Sequence, residues 1–175
     1  LVLSEKNHSV DMAELGQGES YIVLTSRHHC CESTGNYIME GMLKEFCREP
    51  LNGFHVIAVP FMDIDGVLNG DQGKNRHPHD HNRDYLQNPL YRSTKALMGY
   101  TEDKNVKYFL DLHSPWHFGG RNDTCFMVHA SEKMKENYHR FGVILQQITD
   151  KDPESLQYNR ENNIDVGVEW NVGES

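Results

Sequence analysis

No apolar run in this sequence approaches the roughly 20 residues that a membrane-spanning helix requires, which argues against a membrane partner. Basic residues are in deficit: 17 Lys and Arg stand against 26 Asp and Glu, a formal net charge of −9. A nucleic-acid backbone normally needs a basic face, so it is a poor candidate partner. Cysteine is sparse and unpatterned. The four (Cys30, Cys31, Cys47, Cys125) form no CxxC pair, and adjacent Cys30 and Cys31 would make a strained bridge with each other. That excludes a disulfide scaffold and a cysteine zinc knuckle, and it favours a reducing, cytoplasmic setting. Repeats, linkers and low-complexity segments are lacking too, and no signal peptide is visible. Leu1-Val2-Leu3 already reads as strand, so an upstream piece is expected. What is abundant is histidine, eleven in 175 residues, and that invites a metal reading.

At 20.2 kDa the chain is long enough for one domain with a real core, and 1–175 is read as such. Residues 1–18 suggest a short strand or two, closed by Gly16-Gln17-Gly18. The continuous apolar stretch within 19–27 suits a strand covered on both faces. A helix follows, capped by Ser33 or Thr34, with Ile38, Met42 and Phe46 recurring every four residues. Phe54 to Val59 is a second buried-type strand. Residues 61–88 show no convincing periodicity and read as a long loop, of a length that is usually functional or disordered. Pro89 suits the first position of a helix running to about Tyr100. Val106 to Leu112 and Thr124 to Val128 are further strands. Ser131 caps a helix with a stripe of Met134, Tyr138, Phe141, Leu145 and Ile148. Val166 to Val168 is a short possible strand. Strands alternating with helices predict an α/β fold with a mixed, mostly parallel sheet flanked by helices.

Two strands end alike. The first delivers His29 and Glu32, three residues apart, and the strand 106–112 delivers His113. Ligands of open α/β sheets gather beyond the carboxyl ends of the strands, which brings these three side chains together. Two imidazoles and one carboxylate match a catalytic zinc site with a fourth position left for water. In the long loop, Arg83 beside Asn82 suits a carboxylate, because a guanidinium fork and an amide donor complement it. Asp80 can orient a ligand imidazole, and Arg76 is a cation available to an oxyanion. His77, His79 and His81 read as a solvated polar loop.

His29-x-x-Glu32, Asp80-x-Asn82-Arg83 and Asp111-Leu112-His113, in that order, resemble the zinc carboxypeptidase family, the carboxypeptidase A-like metallopeptidases. Pro60-Phe61-Met62-Asp63-Ile64-Asp65-Gly66-Val67 is similar to that family's proline-to-Asp-Gly-Val stretch. The context of Arg27 and the helix after Glu32 look most like its cytosolic, bacterial-type branch. The resemblance covers residues from about 20 to 115. It implies a three-layer sandwich and one zinc ion held by His29, Glu32 and His113. Asn82 and Arg83 would hold the terminal carboxylate of a peptide substrate, and Arg76 would polarise the scissile carbonyl.

Three features depart from the family pattern. Cys30-Cys31 stands where small residues or Pro-Gly are common, and Arg76 lies close to Asn82. The family's general base is a glutamate on a late strand. Glu169 is the one late glutamate here in a strand-like setting, and it comes early, so the base is expected beyond Ser175. Three alternatives stand beside the metallocarboxypeptidase reading. One is an aspartoacylase- or desuccinylase-like zinc amidohydrolase acting on N-acyl amino acids. A second is a non-catalytic zinc domain that captures peptide C-termini. The third is a haloacid-dehalogenase-type phosphatase with Asp63 as nucleophile, disfavoured by Pro60 and by the lack of a later acidic pair.

Overall fold

A strand apolar on successive residues is stable only between two covering layers, and Tyr21-Ile22-Val23-Leu24 lies in such a place. The computed structural model describes residues 1–74, 76–114, 125–129, 132–152, 154 and 158–165. The chain divides into two compact units, Leu1–Ser114 and Pro115–Ser175. In the first unit a four-stranded sheet has the order β3 (Ala13–Gly16), β5 (Phe54–Val59), β4 (Ser20–Ser26), β6 (Asn105–Leu112). β4 runs parallel to both β5 and β6, whereas β3 is antiparallel to β5. The sheet is therefore mixed and mostly parallel, as expected. Two short strands ahead of it, β1 (Val2–Leu3) and β2 (Ser9–Val10), pair with each other.

Alternate residues of the central strands feed opposite cores, as the strand period of two requires. Ile22, Leu24, Val56 and Ala58 face helix α1 (Thr34–Arg48), through Met39, Met42, Leu43 and Phe46. Val23, Ile57 and Val59 face the other way, with Val10, Met62 and Leu97 of helix α3 (Arg92–Thr101). Fully burying a Val, Leu or Ile side chain contributes about 1.5–3 kcal/mol, so these two layers hold the sheet in place. Of the expected α1 stripe, Met42 and Phe46 pack into the first core, while Met39 is fully buried and Ile38 only partly. Ser33 occupies the N-cap position without a side-chain cap bond. Gly35, in the first turn, is required by contact: a Cβ there would stand 2.6 Å from the backbone oxygen of Leu112.

The stretch 61–88 is more ordered than its composition suggests. It contains helix α2 (Ile64–Asn69) and a 3-10 turn, His81–Arg83. α2 spans under two turns, too short for a period to show. Its cap is Asp63, which accepts from Gly66 N at 3.0 Å, and Gly70 closes it at φ 72°. Asp65, buried in its first turn, accepts from Ser4 Oγ at 2.6 Å and Lys6 N at 3.1 Å, tying the N-terminal strands to α2. Helix α3 begins at Arg92 rather than Pro89. The buried Asp84 carboxylate captures the N–H groups of Leu90 and Tyr91, both at 2.8 Å, and holds that segment outside the helix.

The second unit has strands β7 (Val128–His129) and β8 (Ile164–Asp165), paired in parallel, and helix α4 (Lys135–Thr149). Of the apolar stripe expected on α4, Tyr138 and Leu145 are half-buried on the side of the buried residues and the rest is not. Gly142 and Thr149 are buried, while Met134, Phe141 and Ile148 are exposed. Near Gly142 the packing partner is the buried Tyr158, whose hydroxyl would meet a Cβ at 2.5 Å, so the helix lies close along that side. Thr124, the Ser131 cap, the strand expected at 166–168 and Glu169 lie outside the described residues. All four cysteines are free thiols, Cys30 buried and Cys31 and Cys47 exposed. No described helix is long and apolar enough to cross a membrane.

Candidate metal centre

Register places the site. Thr25 lies opposite Asp111, and Ser26 opposite Leu112, so the chain leaves β4 and β6 side by side. Immediately after β4, Arg27 adopts φ 61°, a left-handed conformation that an L side chain rarely takes and that turns the chain sharply. Its guanidinium holds the turn, donating to Asn36 Oδ1 at 2.7 Å and to the Cys30 backbone oxygen. His28 and His29 are thereby folded back over the strand ends, and Glu32 N closes on His29 O at 3.0 Å.

The three expected ligands meet. His29 Nδ1 is 2.9 Å from Glu32 Oε1, and His113 Nδ1 is 2.7 Å from Glu32 Oε2. One ligand atom from each residue lies within 4.8 Å of the others. The outer nitrogens are also taken. His29 Nε2 donates to Asp80 at 3.0 Å, and His113 Nε2 donates to Asp111 Oδ2 at 2.7 Å. With both Nε2 protons directed outward, both Nδ1 atoms face Glu32. A carboxylate behind each ligand imidazole is the usual way to fix its tautomer and raise its basicity.

Sequence reasoning assigned no role to the support behind His113. Asp111 Oδ1 accepts from Thr25 Oγ1 and from His28 Nδ1, each at 2.8 Å, and His28 Nε2 accepts from the Tyr85 hydroxyl at 2.8 Å. His28 is fully buried in this chain of contacts. His28, Asp111 and His113 also lie close enough to hold a cation. The His28 nitrogens, however, bond Asp111 and the Tyr85 hydroxyl rather than Glu32, the carboxylate that His29 and His113 share. The available signal was the spacing Asp111-x-His113, two positions apart on one strand face.

Electrostatics favour a cation here. Burial alone would raise the Glu32 pKa, but His113 and His29 outweigh it and hold the carboxyl well below the usual range. Burial alone would lower the pKa of His113; Asp111 and Glu32 overcome it and push it up to about 10. His29 moves up as well, burial opposing and Asp80 and Glu32 prevailing. A site that stabilises positive charge on two rings around one carboxylate offers zinc the donor set it prefers, once the Nδ1 protons are released.

The remaining candidates fall around this centre in different ways. Asp80 Oδ1 also accepts from Asn82 N at 2.8 Å, so the turn carrying Asn82 and Arg83 is tied to His29. Arg76 is turned toward other partners: its guanidinium pairs with Asp63 at 2.6 Å and Asp71 at 3.2 Å. Asp63, the nucleophile of the phosphatase alternative, is thus a helix cap and an ion-pair partner. Of the three loop histidines, His77 is exposed as expected, His79 is half-buried and His81 is buried. His79 Nε2 bonds Asp84 at 2.7 Å, and His81 is 2% exposed and stacked on Tyr91 at 4.3 Å. A residue the sequence did not single out, Lys74, places Nζ 3.1 Å from Glu32 Oε1.

No protein-family model matches the sequence, and no curated protein matches it. Solved structures do. A metallo-carboxypeptidase from Burkholderia cenocepacia superposes with a TM-score of 0.67 at 16% identity, over 90% of this chain and 47% of its own. A metallo-carboxypeptidase from Pseudomonas aeruginosa, in complex with (2-guanidinoethylmercapto)succinic acid, gives 0.63 at 16% identity, over 81% of this chain and 42% of its own. The chain spans less than half the length of either. The likeness is therefore one of architecture, and the chain adopts the zinc carboxypeptidase-like fold over the part that it spans.

Proposed function

We propose that this chain carries the metal centre of a zinc-dependent metallocarboxypeptidase, which hydrolyses the C-terminal peptide or amide bond of a substrate bearing a free carboxylate. The observation that carries the reading is the alternation Asp80–His29–Glu32–His113–Asp111, in which each imidazole stands between an inner and an outer carboxylate. Bound there, zinc supplies a Lewis acid toward a carbonyl and an acidified water. His29, Glu32 and His113 would hold it, while Asp80 and Asp111 keep the two Nε2 protons and so keep both Nδ1 lone pairs inward. Asn82 and Arg83 are proposed to hold the terminal carboxylate; their turn is fastened to Asp80, so a substrate bound on it is referenced to the metal. In that respect the succinic acid ligand of the Pseudomonas structure, itself a carboxylic acid, is in keeping. For Arg76 to polarise the scissile carbonyl, it would have to leave Asp63 and Asp71.

The test is metal content together with release of a C-terminal residue from peptides. Assayed on the full-length protein, one zinc per molecule and cleavage are expected, with both lost in H113A and the metal much weakened in E32Q. N-acyl amino acids cleaved in preference to peptides would move the assignment to the amidohydrolase alternative. Zinc bound without cleavage of either would leave a binding module. A chain that takes up no zinc defeats the proposal.

A further inference from the structure

We infer that Lys74 is the cation that meets the substrate at this centre, donating from Nζ to the carbonyl oxygen on which negative charge develops. The inference rests on the metallocarboxypeptidase reading and gives that site a residue which neither its sequence nor its fold supplied. Lys74 Nζ lies 3.1 Å from Glu32 Oε1, yet the Lys74 side chain is 39% exposed and Glu32 only 2%. The ammonium therefore sits at the mouth of the centre, with one side on a ligand carboxylate and the other toward solvent.

The placement is built into the loop. Gly73 has φ +83°, and a Cβ on it would stand 2.6 Å from Cys30 N and 2.9 Å from His29 Cα. Only glycine lets this loop lie directly on the backbone that carries the ligands, and the next residue is Lys74. Glu32 has no need of another partner: it already accepts from His29, from His113 and from Ser114 N at 3.0 Å. A positive charge at this distance opposes binding of a dication, because like charges repel through a poorly screened, partly buried medium. A lysine that weakens the metal site and is superfluous as a counter-ion has its use in an anion that arrives later. Arg76, the other candidate, is held by Asp63 and Asp71. Preorganised donors of this kind act where charge develops in the transition state, and removing one typically costs roughly 10²–10³ in rate.

The experiment compares the whole chain with Lys74→Met and Lys74→Arg, using three probes: zinc alone, a dipeptide phosphonate whose tetrahedral anion mimics the developing charge, and the product amino acid. For K74M we expect one zinc bound as tightly as in wild type or tighter, and phosphonate affinity reduced by roughly 10²-fold. Affinity for the product amino acid should hold within about threefold, since the transition-state donor is what has been removed. K74R should recover most of the phosphonate affinity. Unchanged phosphonate binding in K74M overturns the inference. So does an equal loss for phosphonate and product, which would make Lys74 a ligand of the terminal carboxylate. Zinc binding weakened in K74M would make it a structural support instead. A wild-type chain that takes up no zinc, or takes up zinc and binds no phosphonate, defeats the metallopeptidase reading and the Lys74 assignment together. By contrast, K74M that matches wild type on every probe defeats the Lys74 assignment alone.

Discussion

Asp111 accepts a hydrogen bond from His113 Nε2 at 2.7 Å, the same service that Asp80 performs for His29 at 3.0 Å. Asp111 is itself fixed by Thr25 and His28, so the orientation of the His113 ring depends on β4 and the residues after it as well as on β6. Replacing Asp111 by Asn keeps the shape and removes the charge that selects the His113 tautomer. Zinc affinity should fall by about 10–100-fold, the usual effect of losing such a partner. Competition with a chelator measures it, alongside circular dichroism to show an intact fold. Affinity equal to wild type would mean that Asp111 does not orient His113.

Arg76→Met separates stability from chemistry. The Asp63 side chain is 2% exposed and loses its ion-pair partner, leaving a buried carboxylate whose pKa burial already pushes up. Breaking such a pair costs about 3–5 kcal/mol when both ends are buried, and the part-exposed Arg76 puts the expectation at about 2–3 kcal/mol. Urea unfolding should show that loss, and zinc stoichiometry should stay at wild-type level. A variant of unchanged stability that had lost catalysis would return Arg76 to the oxyanion role.

Gly35→Ala links the helix layer to the metal. The new methyl would stand 2.6 Å from Leu112 O, a backbone atom one residue before His113. Neither side can give way by a rotamer change, so α1 and the end of β6 must separate. Overpacking of this sort costs about 1–3 kcal/mol. We expect that loss in urea unfolding, together with weaker zinc binding, since His113 moves with Leu112. Weaker stability with unaltered zinc affinity would show that the β6 terminus does not transmit the shift.

The convergence of His29, Glu32 and His113 was legible because it depends on topology alone: two parallel strands whose apolar runs end in histidine must deliver those residues to one edge. The mostly parallel sheet followed from the same runs. What was not legible depends on side chains that meet across long separations. Asp63 with Arg76, Asp84 with the segment before α3, and Asp65 with Ser4 each pair residues from different loops. None leaves a periodic trace. α2 was missed since six residues show too little of a helical period. Lys74 gave no local signal at all. A lysine in a Gly- and Asn-rich loop reads as solvated until the Gly73 contact lays that loop on the backbone of His29 and Cys30.

His81 makes the acid limb of stability predictable. Its ring is 2% exposed and stacked on Tyr91, Nε2 lies 3.2 Å from Ser93 Oγ, and Nδ1 has no hydrogen-bond partner among the described residues. Burial, the largest cause, lowers its pKa from 6.5 to about 3. The folded state therefore keeps the ring neutral where the unfolded chain would protonate it. The unfolded state binds more protons, so stability rises with pH. The contribution is fully present above the unfolded value of 6.5 and is lost progressively as pH falls toward about 3. Over that window the linkage amounts to on the order of 3–5 kcal/mol. His81→Phe keeps an aromatic ring against Tyr91 and removes the titration. The drop in urea midpoint between pH 7 and pH 4.5 should be clearly smaller in H81F than in wild type. Equal drops in the two proteins would mean that His81 is charged, or reaches solvent, in the folded state.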